Sequence, residues 1–270
     1  MTSAYYALTD TDATLGERFT ASTYTTSTWA PTMQNAAPVS GLLVRAIERC
    51  APRQQTRLAR VTVDMLGPVP LGDDIWVSAR TLRPGRNIEL VEAEMRAPDD
   101  VGALRPVARA TAWRFTTIDT EEIAFAAEPP LRPKEESPQR EPFQGWDGTY
   151  IASLEWRMLN DTQNSEQGEC WVRPLVDLVA GEEMTPAERL LSVADIANGM
   201  GSGLPMDRWR FLNTDLVVHM HRPLVGEWVG VRAESLYGSD GIGLSRATLF
   251  GEDGPVGGIQ QAQLIRRTDV

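Results

Sequence analysis

The chain has 270 residues, 42% of them hydrophobic and 23% charged, with a formal net charge of −11. That composition supports a buried core and excludes global disorder, and the length suits one large domain or two modest ones. The acidic excess repels a nucleic acid or an anionic bilayer, so neither is expected as a partner.

Residues 1–13 are polar and lack the basic and apolar stretches of a secretory signal. No apolar run approaches the roughly 20 residues that cross a bilayer, so a cytoplasmic protein without a membrane span is expected. Residues 18–26 alternate loosely and read as a strand. Val39, Leu42, Leu43, Ala46 and Ile47 follow the i, i+3, i+4, i+7, i+8 stripe of a helix with one buried face. Ala51-Pro52 ends that helix. Cys50 and Cys170 are far apart and match no metal or redox spacing, so two free thiols are expected. Strands are predicted at residues 58–66, 74–83, 87–96 and 107–116. Gly67-Pro68, Pro84-Gly85-Arg86-Asn87 and Pro98-Asp99-Asp100 separate them as turns.

Residues 118–149 hold Pro129, Pro130, Pro133, Pro138 and Pro142 among many charges, including Glu121, Glu122, Glu128, Lys134, Glu135, Glu136, Arg140 and Glu141. Proline removes donors and charges resist burial, so this segment reads as a surface connector between two units, 1–117 and 150–270. The second unit repeats the element order. Residues 150–158 and 170–173 are strand candidates. Thr185, Pro186 and Glu188 form a capping box with proline at the first helical position. The helix is predicted to run through Asn198 and to stop at the glycine-rich residues 199–203. Strands follow at 211–221, 227–237, 241–250 and 257–267.

The halves overlay in places. Val63-Asp64-Met65 and Pro68 precede Val218-His219-Met220 and Pro223 by 155 residues; Trp76-Val77 and Arg80 precede Trp228-Val229 and Arg232 by 152, as Arg114 does Arg266. A tandem repeat of one helix wrapped by an antiparallel sheet accounts for both.

Such a unit resembles the hotdog fold. Two in one chain resemble the acyl-CoA thioesterase II-like double-hotdog family over nearly the whole length. The segment running from Asp215 through His221-Arg222 to Pro223 is similar to a family strand that begins after Asp and ends in His-Arg-Pro. Gln261, five residues before Arg266, is similar to the family's last strand, and Ala194-Asp195 to its second helix. The resemblance implies an α+β double hotdog and a hydrolase in which a carboxylate, a hydroxyl residue and a glutamine orient water against a thioester. It puts the carboxylate at Asp195 and the glutamine at Gln261. The hydroxyl position falls on Asn213, next to Thr214. A one-residue shift in a strand turns a side chain to the other face, so only one of the two can point at the site. The resemblance implies no metal or redox cofactor, an acyl-CoA or related thioester as substrate, and the option of a homo-oligomer.

The residues themselves leave several readings open. Asp195 can lie on a wet helix face near Arg189 and Asn198, or be buried as a base with a raised pKa. The amides of Gly199, Gly201 and Gly203 can hold a thioester oxygen or merely end the helix. Arg222 can meet coenzyme A phosphates or stay solvated. His219 and His221 share one strand face without a third ligand, so packing is the expected role. There is no Gly-x-Ser-x-Gly elbow, and the spaced glycines follow a helix, unlike a dinucleotide fingerprint. In the first half, Pro38-Val39-Ser40-Gly41 offers no acid and Arg109 stands opposite Gln261 in the overlay, so one active centre per chain is expected, in a channel between the halves. Two rival functions share the fold. One is a non-catalytic acyl-CoA-binding protein, which Asn213 favours. The other is an enoyl-thioester hydratase, which would pair the Asp with a His that is lacking near Asp195.

Overall fold

A computed structural model describes residues 3–72, 74–137, 149–160 and 167–268. Asn35 caps the first long helix, α1 (Ala36–Arg49), by accepting the Ala37 N–H at 2.9 Å. Its stripe of Val39, Leu42, Leu43 and Ile47 is wholly buried. Around it run β1 (Ala4–Asp12), β2 (Gly16–Ala21), β3 (Thr56–Met65), β4 (Ile75–Arg83), β5 (Ile88–Pro98) and β6 (Leu104–Thr116). The second half contains α2 (Thr149–Ala152), β7 (Leu154–Asn160), β8 (Gly168–Pro174), β9 (Asp177–Val179), α3 (Pro186–Ala194), α4 (Ala197–Met200), β10 (Trp209–Asn213), β11 (Asp215–Met220), β12 (Val229–Tyr237), β13 (Ile242–Gly251) and β14 (Gly254–Arg267).

The strands form one sheet in the order β7-β8-β12-β13-β14-β11-β3-β6-β5-β4-β2-β1-β9, with β10 also on β14. The seam between the halves is the antiparallel pair β3–β11, in which Leu216 faces Val63 and Val218 faces Val61, all four buried. β9, from the second half, lies parallel to β1 and closes the first half's edge. This is the α+β double hotdog, with α1 and α3 packed on each other inside the sheet.

Ion pairs fasten α1 to its surroundings. The fully buried Arg45 donates to Glu17 of β2 and to Glu182 of the loop before α3, each at 2.7 Å. Arg49 reaches the same Glu182 at 2.6 Å, and Thr185 Oγ1–H donates to Glu48 at 2.6 Å.

Several elements differ from the sequence expectation. β1 forms inside the polar N-terminal stretch because Tyr5 and Tyr6 anchor it in the core, Tyr6 donating to Gln34 at 2.6 Å. Residues 149–152 are a helical turn before β7. The predicted strand 211–221 is broken at Thr214 into β10 and β11. In the last strands the 152-residue overlay is out of step: Arg114 is buried against Glu89, whereas Arg266 is exposed, and Arg109 is exposed, whereas Gln261 is buried. Side-chain alternation makes these pairs face opposite ways, so Arg109 is not the structural counterpart of Gln261.

The described part of the connector contains two short 3-10 turns, Glu121–Ile123 and Lys134–Glu136. Leu131 inserts among Trp171, Trp228 and Phe250, and Trp171 Nε1–H donates to the Arg132 carbonyl at 2.7 Å. Pro138, Arg140, Glu141 and Pro142 lie outside the described residues. Among those described, no helix is long and apolar enough to cross a membrane.

Candidate active site

The capping box read from the sequence is complete. Thr185 Oγ1 accepts the Glu188 N–H at 3.1 Å, and Glu188 Oε2 accepts the Thr185 N–H at 3.0 Å. The helix it opens is shorter than predicted. It ends at Ala194 with Asp195 as its cap residue, the Ile196 N–H bonds back to Val193 at 3.0 Å, and α4 resumes at Ala197. The break falls on the acid itself.

Asp195 is 7% exposed. One carboxylate oxygen, Oδ1, accepts two amide donors at 2.8 Å each: Gln261 Nε2 from β14 and Asn213 Nδ2 from the end of β10. Oδ2 accepts no hydrogen bond among the described residues. Burial pushes the Asp195 pKa up to about 6, against the opposing pull of the Asn213 and Gln261 hydrogen bonds. The amide side chains continue behind it. Asn198 Nδ2 donates to Asn213 Oδ1 at 3.1 Å and to the Phe211 carbonyl at 3.2 Å, and Gln263 Nε2 donates to Asn198 Oδ1. The side-chain carbonyl of Gln261, 1% exposed, is buried without a partner among the described residues.

Asp195 opens on a cavity of about 320 Å³ built by both halves. Trp29, Met33, Met65 and Val69 come from the first; Ile151, Met206 and Phe211 come from the second. Trp29 meets Phe211 edge-on, ring centres 5.1 Å apart, so an aromatic contact spans the divide. Asn35 and Ala36, at the N-terminal end of α1, also line it. An apolar chamber with one buried acid suits a fatty chain whose reactive end carries a carbonyl.

Family models of the acyl-CoA thioesterase N-terminal and C-terminal domains match residues 25–115 and 128–265. The chain belongs to the acyl-CoA thioesterase family. It is a thioester hydrolase by that membership, with an acyl thioester as substrate. Among solved structures, a hotdog protein of unknown function from Alicyclobacillus acidocaldarius is similar at a TM-score of 0.73, with 12% identity over 97% of this chain and 96% of its own. A putative thioesterase II from Thermobifida fusca YX gives 0.72 and 15% over 99% and 98%. A TesB protein from Mycobacterium avium subspecies paratuberculosis gives 0.67 and 15% over 92% of each chain. These share the fold. No curated protein matches the chain in sequence.

On this acyl-CoA thioesterase scaffold, Asp195, Gln261 and Asn213 come together. Thr214 borders the cavity but is exposed, and its hydroxyl bonds to none of the described residues; its carbonyl serves β3 by accepting the Met65 N–H at 2.9 Å. Gly199 lines the cavity. Gly201 does not: a Cβ there would stand 2.7 Å from the Glu234 carbonyl carbon, so this glycine lets α4 approach the backbone of β12. The amides of Met200, Gly201 and Ser202 are spent on Ile196, Ala197 and Gly199 carbonyls, which leaves none of these three for a thioester oxygen. Arg222 is not at the cavity either; it pairs with Asp253 at 2.8 Å on the surface. His219 and His221 are exposed.

Asn198 and Gln263 escaped the sequence reading. Their signal was spacing: Asn198 stands one helical turn beyond Asp195, and Gln263 shares a strand face with Gln261.

Proposed function

We propose that the protein hydrolyses acyl-CoA by water attack on the thioester carbonyl, with Asp195 as the general base. The observation that carries this is the carboxylate: buried, held through one oxygen by two amide donors, and with its other oxygen unpartnered among the described residues in the wall of an apolar cavity. Asp195 Oδ2 is an acceptor that suits one O–H of a water in the cavity, while Gln261 and Asn213 hold Oδ1 as donors. Asp195 takes a proton as the water oxygen bonds to the thioester carbon. The carbon–sulfur bond then breaks, and the proton passes to the departing thiolate, giving a free acid and a free thiol. Asn213 serves as a donor that holds Asp195, where a hydroxyl would also relay a proton. The developing oxyanion is favoured by the positive end of α1, whose first turn faces the cavity.

Units at 1–117 and 150–270 joined by 118–149, a cytoplasmic location, a role in lipid metabolism and assembly into a homo-oligomer belong to the same proposal. The two family matches, 25–115 ahead of the connector and 128–265 beginning within it, support a division into two units, and the free thiols of Cys50 and Cys170 support a reducing compartment. Release of free coenzyme A, read with a thiol reagent over acyl-CoAs of increasing length, tests the activity. Asp195→Asn is expected to lose about 100-fold or more in kcat. Tight acyl-CoA binding without turnover would instead identify a binding protein, the reading that Asn213 favours.

A further inference from the structure

Three side-chain amides stand in line behind Asp195: Gln263 donates to Asn198, Asn198 to Asn213, and Asn213 to the carboxylate. An amide has one donor end and one acceptor end, so each link decides which way the next can face. Acceptors that cannot reverse fix the direction. Asn213 Nδ2 lies between Asp195 Oδ1 and the Asp215 carbonyl, at 2.8 and 3.3 Å, which turns Asn213 Oδ1 toward Asn198. Asn198 must then present its Nδ2, which the Phe211 carbonyl also accepts at 3.2 Å. Its Oδ1 is left for Gln263, whose own carbonyl is buried without a partner among the described residues. Asn198 and Gln263 are both buried. A buried amide with its carbonyl unsatisfied is costly, and here the other end of that amide is committed to holding Asn198.

We infer that Asn198 and Gln263 are positioning residues that hold Asn213 with its N–H₂ toward Asp195, keeping the base ionised and its free oxygen directed at the water. The inference rests on Asp195 being the base. Without the Asn198 donor, the Asn213 carbonyl loses that partner and Asn213 is held less firmly against Asp195, which weakens a hydrogen bond to the charged form and so disfavours it.

The test is the pH profile of kcat/KM for acyl-CoA hydrolysis in Asn198→Leu and Gln263→Met. Asn198→Leu is expected to lower kcat with little change in KM and to move the acid limb up by about 0.5–1 pH unit, Gln263→Met by less. In an Asn213→Leu background, Asn198→Leu is expected to move the limb no further, because it acts through Asn213. Gln263→Met carries the test if Asn198→Leu does not fold. An acid limb that stays in place in the single variants, or that moves additively in the double variant, would overturn the inference. Should the limb persist unchanged in Asp195→Asn, the base assignment itself fails.

Discussion

A carboxylate with pKa near 6 inside a protein is a liability to the fold as well as a reagent. Asp195 is raised from 3.8 to about 6 by burial, so the native state binds its proton more tightly than the unfolded chain. The penalty on folding is absent below the unfolded pKa, grows between about pH 4 and pH 6, and is complete above. Asp195→Asn keeps an oxygen for the Gln261 and Asn213 donors and removes the charge. Its melting temperature is expected to exceed the wild type's at pH 7.5, by an amount corresponding to up to about 3 kcal/mol, and to converge with it near pH 4. A variant no more stable than wild type at pH 7.5 would mean that the acid is not desolvated. At this scale the sequence was partly legible. Asp195 and Gln261 followed from local likeness, but periodicity could not say whether the acid was wet or dry, because the turn at Ile196 resets the helical phase.

Elements were legible where their pattern was local. The stripe of α1, the cap of α3 and the turns of the long strands are all written in short windows. β1 is not, since its polar stretch is a strand only because two tyrosines and the distant β9 claim it. The α1–α3 contact is likewise non-local. A Cβ on Gly41 would come 2.1 Å from Ser192 Oγ, a buried hydroxyl without a partner among the described residues. Gly41→Ala is therefore expected to cost about 1–3 kcal/mol. Ser192→Ala alone is expected to be neutral or to stabilise by up to about 1 kcal/mol, since it removes an unpaired buried hydroxyl. Denaturant unfolding of the double variant checks the contact: most of the Gly41→Ala loss is recovered if the hydroxyl is the obstacle, and simple addition of the two effects would show that it is not.

The whole molecule uses one module for two purposes. Counted from the caps at Asn35 and Thr185, the tenth residue is Arg45 in the first half and Asp195 in the second. On that count, the first half carries a cation tied to Glu17 and Glu182 where the second carries its acid. Arg45→Met strands Glu17 and leaves Glu182 to Arg49 alone, and is expected to destabilise by about 2–4 kcal/mol at pH 7, short of a fully buried pair because both glutamates keep about a quarter of their side chains exposed. The Arg45 guanidinium holds Glu182 below its ordinary 4.5, a contribution present above that value and lost as pH falls through the lowered one. The deficit measured by chemical denaturation should accordingly shrink in acid. The repeat was readable as element order; its register was not, since loop lengths differ between the halves and a one-residue slip reverses a strand's faces.

The pH dependence of kcat/KM for acyl-CoA hydrolysis, compared in wild type and Asp195→Asn, tests the central claim that a buried acid from the second half works in the chamber both halves enclose. The wild-type rate should fall on the acid side with an apparent pKa of about 6, and the variant should retain about 1% of the activity or less, without that limb. A variant that hydrolyses at the wild-type rate with the same acid limb would contradict it.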